Sequence, residues 1–264
     1  MNSGRRASKR RSLRGLLLAP LAGLLACAAV SAPQTDPALD WDAPWVQVHV
    51  DHVLPSGIDT FEGARRQWLM RLRADGGSRA DGRPLFFSGD SPDGRMYLTF
   101  YPFAAWSDLD RRTQAKQRVE ARLGAGALAD YDGGDAALVP PHHSEIWMRL
   151  ADGDLVPAAG PRSLVDARFL RLEIRTRPLG KDADALDAVW SAIRSAVGGR
   201  RACRMFWSLF GRGELVLAWP AVERAAAEAE PLSAELAARL DRVAPPRLVQ
   251  VVERRDDLST VTLP

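Results

Sequence analysis

The sequence predicts an α+β fold in which two ferredoxin-like (βαββαβ) repeats pack sheet to sheet as an α/β barrel within one chain. The order strand, helix, strand, strand, helix, strand occurs over residues 45–151 and again over residues 167–256. A stretch rich in proline and glycine, residues 152–166, links the two repeats. Because the bare face of a four-stranded sheet must be covered, two copies in one chain can cover each other.

The first repeat follows from apolar and polar residues that alternate at period two, and from apolar residues that recur at helical spacing. Its predicted elements are strand 46–53, helix 61–72, strands 85–87 and 96–101, helix 107–123 and strand 145–150. The turn between the second and third strands has the sequence Asp90-Ser91-Pro92-Asp93-Gly94, which is typical turn chemistry. Residues 124–144 are predicted to be largely irregular.

The second repeat has the same order, and residues 257–264 follow it as a tail. Its predicted elements are strand 169–175, helix 185–197, strands 202–210 and 214–219, helix 233–243 and strand 248–253. Four sets of residues match between the repeats, which indicates a duplication. They are Trp68 with Trp190, Val48 and Val50 with Leu170 and Leu172, Phe87-Ser88 with Trp207-Ser208, and Tyr101-Pro102 with Trp219-Pro220.

Residues 1–26 resemble the export signal of a bacterial lipoprotein, since basic residues precede a short Leu- and Ala-rich segment that ends at Cys27. The resemblance implies that the signal is removed, that Cys27 is acylated, and that residues 27–44 form a flexible tether. Ala28, in place of an aspartate, implies an outer-membrane lipoprotein that faces the periplasm. A secretory signal cut after Ala32, which gives a soluble periplasmic or secreted protein, is the alternative.

Composition argues against a nucleic-acid partner. The formal charge of the whole chain is +3, but removal of the signal leaves 30 Lys and Arg against 33 Asp and Glu. A chain without a cationic excess lacks the electrostatic signature of nucleic-acid binding. With Cys27 lipidated, Cys203 is left alone on an apolar strand, which predicts a buried thiol and no disulfide.

The segment Tyr97-Leu98-Thr99-Phe100-Tyr101-Pro102-Phe103-Ala104-Ala105-Trp106-Ser107-Asp108-Leu109-Asp110 is similar to a strand-to-helix segment of proteins related to the antibiotic biosynthesis monooxygenases. This resemblance implies a fused pair of dimeric α/β-barrel units. The group includes cofactor-free oxygenases, haem-degrading enzymes and many members without a known activity. The fold alone therefore leaves the function open.

If the even-numbered residues of the first strand lie under the helices, its odd-numbered polar residues face the space between the sheets. A histidine beside a carboxylate can then abstract a proton or position a ligand. The candidate residues of this cavity are His49, Asp51, Tyr97, Tyr101, Glu145, Arg149, Arg171 and Glu173. In the competing interpretation these are buried polar residues that pair with one another, Arg171 or Arg175 with Glu173 among them.

No metal site is predicted. His49 and His52 are three residues apart on a strand, so their side chains point to opposite faces. His142 and His143 lie in a loop with only Glu145 nearby as a further ligand. The sequence contains no nucleophile elbow, P-loop or dinucleotide-binding fingerprint.

These observations predict a lipid-anchored cell-envelope protein that acts as a non-catalytic small-ligand-binding or interaction module. Its expected partners are the membrane, through the lipid, a small apolar or aromatic ligand, and an envelope protein. No cofactor is predicted, although the resemblance keeps haem as an alternative. The alternative functions are a cofactor-free or haem-linked monooxygenase-like enzyme that uses the intersheet cavity, and a structural partner in an envelope complex.

Overall fold

Eight antiparallel strands close into a barrel in the computed structural model, which describes residues 43–74, 84–138, 142–210 and 213–259. The predicted signal peptide, Cys27 and all but the last two residues of the predicted tether lie outside these ranges. Among the helices within these ranges, none has the length and apolar character that crossing a bilayer requires.

The elements alternate between strands of the barrel and helices on its outside. In chain order they are β1 (Trp45–Val53), α1 (Ile58–Ala74), β2 (Leu85–Ser91), β3 (Gly94–Phe103), α2 (Trp106–Leu123), α3 (Ala125–Asp135), β4 (His143–Arg149), β5 (Phe169–Thr176), α4 (Lys181–Val197), β6 (Arg204–Phe210), β7 (Glu214–Ala221), α5 (Arg224–Glu228), α6 (Ala234–Val243) and β8 (Pro246–Arg254). The chain therefore has a mixed α+β fold.

The strand order around the barrel is β1-β3-β2-β8-β5-β7-β6-β4. The first four strands thus follow the order β4-β1-β3-β2, and the last four follow the same order, β8-β5-β7-β6. The two sets are joined edge to edge, by two residue pairs between β2 and β8 and by four between β4 and β6. Closure pairs both edges of each set, which removes the exposed strand edges of an open sheet.

The inside of the barrel is a packed apolar core. Valines at even positions of β1 point inward and meet aromatic rings from the other strands; Phe87 and Phe100 are in edge contact at 5.5 Å between ring centroids, and Trp147 and Phe206 lie 5.8 Å apart. The buried residues of this core include Val46, Val48, Val50, Leu85, Phe87, Leu98, Phe100, Trp147, Leu170, Leu172, Phe206 and Val216. Side chains therefore occupy the space in which the sequence predicted a ligand cavity.

The segment between β4 and β5 packs against this core. Leu164 and Ala167 are buried among the core residues, and Arg254 donates a hydrogen bond to the carbonyl of Val165 at 2.5 Å. The segment predicted as a linker thus contributes to the barrel interior.

The strand registers revise two of the residue matches between the repeats. Tyr101 lies opposite Gln47 and Trp219 opposite Arg171, so Leu170 and Leu172 correspond to Val46 and Val48 and not to Val48 and Val50. Phe87 and Phe206 both face the barrel core, whereas Trp207 packs on the outside with the residues under α4 and α6. A shift of one residue moves a strand side chain to the other face, so Phe87 corresponds to Phe206 and not to Trp207. Trp68 and Trp190 both pack in clusters on the outside of the barrel.

Helix α3 lies where the sequence predicted irregular structure. Its glycines Gly126, Gly133 and Gly134 lower intrinsic helix propensity. Packing compensates, because Leu128 and Tyr131 contact the cluster around Trp68. Tertiary contacts thus outweigh local propensity in this segment.

Candidate functional site

Two histidines and one carboxylate meet on the outside of β1. His49 and Asp51 are two residues apart on the strand, and His142 directly precedes β4, the strand that pairs with β1 on this side. His49 Nε2 lies 3.0 Å from Asp51 Oδ1, and His142 Nδ1 lies 3.6 Å from the same oxygen. The two imidazole rings meet edge to face, with 5.4 Å between their centroids. We call these three residues the His–Asp–His cluster.

Asp51 is fully buried, and among the residues that the structure describes none outside the His–Asp–His cluster donates a hydrogen bond to its carboxylate. Its neighbours act on it through charge. Arg65 Nη2 lies 3.7 Å from Asp51 Oδ2 and also donates a hydrogen bond to Asp135 at 3.2 Å. The guanidinium of Arg65 is therefore shared between two carboxylates.

The charges around Asp51 keep it ionised. Burial by itself raises the pKa of Asp51, but the adjacent His49, together with Arg65 and His142, outweighs burial and brings the pKa below its usual value. Burial has the larger effect at Asp135, whose pKa is raised. At neutral pH the cluster thus contains a buried, ionised carboxylate between two imidazoles.

His49 is oriented by a contact at its other nitrogen. Its Nδ1 lies 2.8 Å from the Ser144 hydroxyl oxygen, and Ser144 is the partner of His49 in the β1–β4 ladder. This contact holds the ring so that Nε2 faces Asp51. The exposed fractions of the side chains are 27% for His49 and 53% for His142, so solvent and small solutes reach both imidazole rings.

Four of the residues predicted for the intersheet cavity, His49, Asp51, Tyr97 and Tyr101, lie on the outer face of the barrel. The even positions Val46, Val48 and Val50 point inward, which reverses the predicted orientation of β1. The physical reason is that the barrel interior is an apolar core, so the apolar face of the strand occupies it.

The two tyrosines have structural partners on this outer face. Tyr97 donates a hydrogen bond to Glu62 Oε1 at 2.6 Å and packs on the ring of Phe61. The Arg112 guanidinium lies 4.1 Å from the centre of the Tyr101 ring. Neither tyrosine belongs to the His–Asp–His cluster.

Arg171 and Glu173 also lie on the outer face, in the second half of the chain. Buried Glu173 receives hydrogen bonds from Arg171 at 2.9 Å and from Arg175 at 2.6 Å. Arg171 pairs as well with Glu230. These contacts match the competing interpretation, in which the predicted cavity residues pair with one another.

Glu145 and Arg149 lie on β4, away from the cluster. Glu145 accepts a hydrogen bond from the indole nitrogen of Trp147 at 2.8 Å, and His143 lies 3.2 Å from it. Arg149 pairs with Asp154. Of the eight residues predicted for the cavity, the structure brings only His49 and Asp51 into one candidate reaction centre.

Sequence reasoning missed His142 as the third member. His49 and His52 face opposite sides of β1, as their spacing predicted, but His142 comes beside His49 from 93 positions further along the chain. The predicted strand order could have identified His142. The fourth strand of a ferredoxin-like sheet pairs with the first, so a residue at the start of the fourth strand lies beside the first strand.

A cavity of about 370 Å³ lies elsewhere, on the outside of the second half. Its lining residues include Arg171, Arg200, Arg201, Trp219 and one carboxylate, Glu223, but no histidine. Guanidinium groups remain protonated and cannot act as bases. The His–Asp–His cluster, in which two imidazoles lie beside a buried carboxylate, is therefore the better candidate for chemistry.

No protein-family model matches the sequence, and no curated protein is similar to it. Solved structures are similar in fold. A candidate monooxygenase from Fusobacterium nucleatum has a TM-score of 0.51 and 8% identity, over 81% of this chain and 92% of that one. A candidate monooxygenase from Lactobacillus acidophilus has a TM-score of 0.44 and 10% identity, over 80% and 94%. A haem-binding protein from Thermus thermophilus has a TM-score of 0.43 and 13% identity, over 81% and 92%.

These comparisons correct two expectations. The sequence favoured a non-catalytic binding or interaction module, and it favoured a protein that is not an enzyme. Both expectations are wrong, because the solved chain with the TM-score of 0.51 is described as a candidate monooxygenase. The monooxygenase-like alternative is therefore the better supported. At this level of identity the likeness shows the dimeric α/β-barrel type of fold and assigns no reaction.

Neither the barrel interior nor the cavity of the second half fits a haem group. Apolar side chains fill the barrel interior, and the cavity of about 370 Å³ is lined by no histidine, cysteine, tyrosine or methionine that could ligate haem iron. His49 and His142 instead face each other and Asp51.

Proposed function

We propose that the chain is an enzyme that oxidises a small molecule with O₂, and that the His–Asp–His cluster is its reaction centre. The observation that carries the proposal is the buried Asp51 carboxylate beside two solvent-accessible imidazoles, at 3.0 and 3.6 Å. The fold likeness to a candidate monooxygenase supports the reaction class.

The cluster suits a reaction that begins with loss of a proton. The Asp51 carboxylate stabilises positive charge on the His49 imidazole, and Ser144 holds the His49 ring in place. A substrate with an acidic CH₂ group can lose a proton here, and its anion is electron-rich enough to reduce O₂. In the balanced reaction the CH₂ group becomes a carbonyl; one oxygen atom enters the product and the other leaves as water.

The test is protein-dependent O₂ uptake in an oxygen electrode, with anthrone and 1,8-dihydroxyanthrone, which both carry an acidic CH₂ group, as probes. We expect uptake by the unaltered protein and a loss of roughly 100-fold in His49→Gln and Asp51→Asn, the scale of a general acid–base contribution. His52→Gln is the matched control, since His52 lies on the same strand but on the other face. Equal uptake by Asp51→Asn and the unaltered protein, or none with either probe, contradicts the proposal.

We also propose that this enzyme works in the cell envelope, anchored through a lipid on Cys27. The support is the sequence of residues 1–27. Mass spectrometry of the protein from membranes is expected to find an N-terminal acylated Cys27, and Cys27→Ser is expected to release the protein into the soluble fraction. An unmodified Cys27 in exported protein argues for the soluble periplasmic or secreted alternative.

We infer, finally, that the two halves are ferredoxin-like repeats of one ancestral unit. The identical strand order in the two halves and the matched Trp68 and Trp190 support this. In this arrangement each half supplies the cover that the inner face of the other half needs.

A further inference from the structure

We infer that His49, Asp51 and His142 bind a divalent transition-metal ion, and that Fe(II) suits their donor set best. Each residue offers one ligand atom, and the three atoms lie within 4.8 Å of one another. The inference deepens the proposed oxidation and rests on it for the reaction, although metal binding is measured without turnover. An ion held here would acidify the bound substrate and so would replace His49 as the group that promotes proton loss.

The spacing of the ligand atoms fits one ion. Ligands that lie about 2.1 Å from a metal stand roughly 3.0–3.4 Å apart in octahedral or tetrahedral sites. His49 Nε2 and His142 Nδ1 lie 3.0 and 3.6 Å from Asp51 Oδ1, so these two pairs need shifts of only a few tenths of an ångström. The three ligand atoms lie within 4.8 Å of one another, so the two imidazole nitrogens would have to move closer together around the ion. His142 is half exposed at the end of its loop, which leaves its ring free to adjust.

The kinds of donor select the class of metal. Two imidazoles and one carboxylate on one side of an ion are the ligand set of non-haem Fe(II) oxygenases, which leaves further coordination positions open. Ca²⁺ and Mg²⁺ instead require sites dominated by oxygen ligands. Open positions toward solvent allow both a substrate anion and O₂ to approach the ion.

The contact between His49 and Ser144 prepares His49 as a ligand. When Nδ1 donates to the Ser144 hydroxyl, the lone pair on Nε2 faces Asp51 Oδ1 at 3.0 Å. Two electron-pair donors at this distance repel unless a cation lies between them. A hydrogen bond at the outer nitrogen is the usual way in which proteins orient a histidine ligand.

Asp51 provides an independent observation that points to a cation. Its carboxylate is fully buried, yet no described residue outside the His–Asp–His cluster donates a hydrogen bond to it, although buried polar groups are nearly always paired. Arg65 approaches only Oδ2, at 3.7 Å, and is shared with Asp135. Oδ1, the oxygen that faces both histidines, is thus left for the ion.

The test is metal binding by the purified full chain after treatment with a chelator. Co(II) is the spectroscopic probe, because visible absorption reports its ligand set, and Fe(II), Mn(II) and Zn(II) are titrated by calorimetry under nitrogen. We expect one ion per chain. Asp51→Asn and His142→Gln are each expected to weaken binding by at least tenfold, with the larger loss in Asp51→Asn.

Two matched controls separate a site from general histidine binding. His143→Gln alters the neighbour of His142, which contacts Glu145, and His52→Gln alters the other face of β1. Both are expected to bind Co(II) like the unaltered protein. His142→Gln lies at a half-exposed position, so it tests the site even if Asp51→Asn fails to fold.

The outcomes distinguish this inference from the proposed function. Equal Co(II) binding by His142→Gln and the unaltered protein, or no saturable binding of any of the four metals, overturns the inference. O₂ uptake that survives chelation overturns the role of the ion in the oxidation and leaves a metal-free oxidation in place. Stoichiometric binding without O₂ uptake supports the metal site and counts against the oxidation.

Discussion

Tyr97 donates its hydroxyl hydrogen bond to Glu62 Oε1 over 2.6 Å, and this contact ties β3 to α1. Arg255, which follows β8, binds both oxygens of the same carboxylate, and Arg66 pairs with it from the next turn of α1. Burial alone raises the pKa of Glu62, but the hydrogen bonds from Arg255 and Tyr97 outweigh burial and lower it to about 2. The same carboxylate, with burial, raises the pKa of Tyr97.

The pKa of Glu62 predicts a loss of stability in acid. A carboxyl group whose pKa is lower in the folded than in the unfolded protein stabilises the fold fully above its unfolded pKa, here 4.5, and loses this effect as the pH falls toward about 2. The contribution is up to about 3 kcal/mol of unfolding free energy. Urea unfolding at pH 7 and pH 3 measures it. Glu62→Gln is expected to reduce the difference between the two pH values, whereas exposed Glu235→Gln leaves it unchanged; an unchanged difference in Glu62→Gln contradicts the prediction.

Two buried tryptophans predict opposite outcomes for one substitution. The indole nitrogen of Trp190 donates to the Gly153 carbonyl at 2.7 Å, whereas that of Trp219 is buried without a hydrogen-bond partner among the described residues. Trp190→Phe leaves a buried carbonyl unpaired, while Trp219→Phe removes an unpaired donor. We expect Trp190→Phe to lower the unfolding free energy by about 1 kcal/mol more than Trp219→Phe. Chemical denaturation of the two variants compares them, and a larger loss in Trp219→Phe is the contrary result.

Cys203 is predicted to be unreactive in the folded protein. The residue is fully buried, and burial, followed by the charges of Glu173 and Asp154, raises the pKa of its thiol. Since the thiolate is the reactive form, we expect the reaction with Ellman's reagent to be roughly 100-fold slower in buffer than in urea. The Cys27→Ser variant leaves this as the one cysteine of the chain. Fast reaction of Cys203 without denaturant would contradict the prediction and show that the start of β6, next to Cys203, opens in the folded protein.

The sequence predicts the order of the elements better than the side of the strand that carries the candidate site. Alternation along β1 predicts a strand, but the polar and apolar faces are both largely covered, one by helices and one by the barrel core. The side on which His49 lies therefore depends on how the interior is filled, which follows from residues far apart in sequence such as Phe100 and Phe206. His142 joins the site through the β1–β4 ladder, a non-local pairing that no local motif encodes.

The barrel closes through two seams of unequal length, and Gly89 lies at the shorter one. Strands β2 and β8 pair at two residues, against four between β4 and β6. A Cβ atom at Gly89 would lie 2.9 Å from the Val251 carbonyl oxygen and equally close to Val252 Cγ1. A methyl group there must push the backbone of β8 away, since a carbonyl oxygen cannot rotate aside as a flexible side chain can.

Gly89→Ala is therefore expected to lower the unfolding free energy by about 1–3 kcal/mol, the usual cost of overpacking. Hydrogen exchange is expected to speed up in β2 and β8 and to stay unchanged in β4 and β6, because only the shorter seam is strained. Gly63→Ala is the matched control: it lies in α1 with open space around the position, so an alanine there is expected to stabilise the helix by up to about 1 kcal/mol. Uniformly faster exchange around the whole barrel in Gly89→Ala would show that the seams open together, as one cooperative unit.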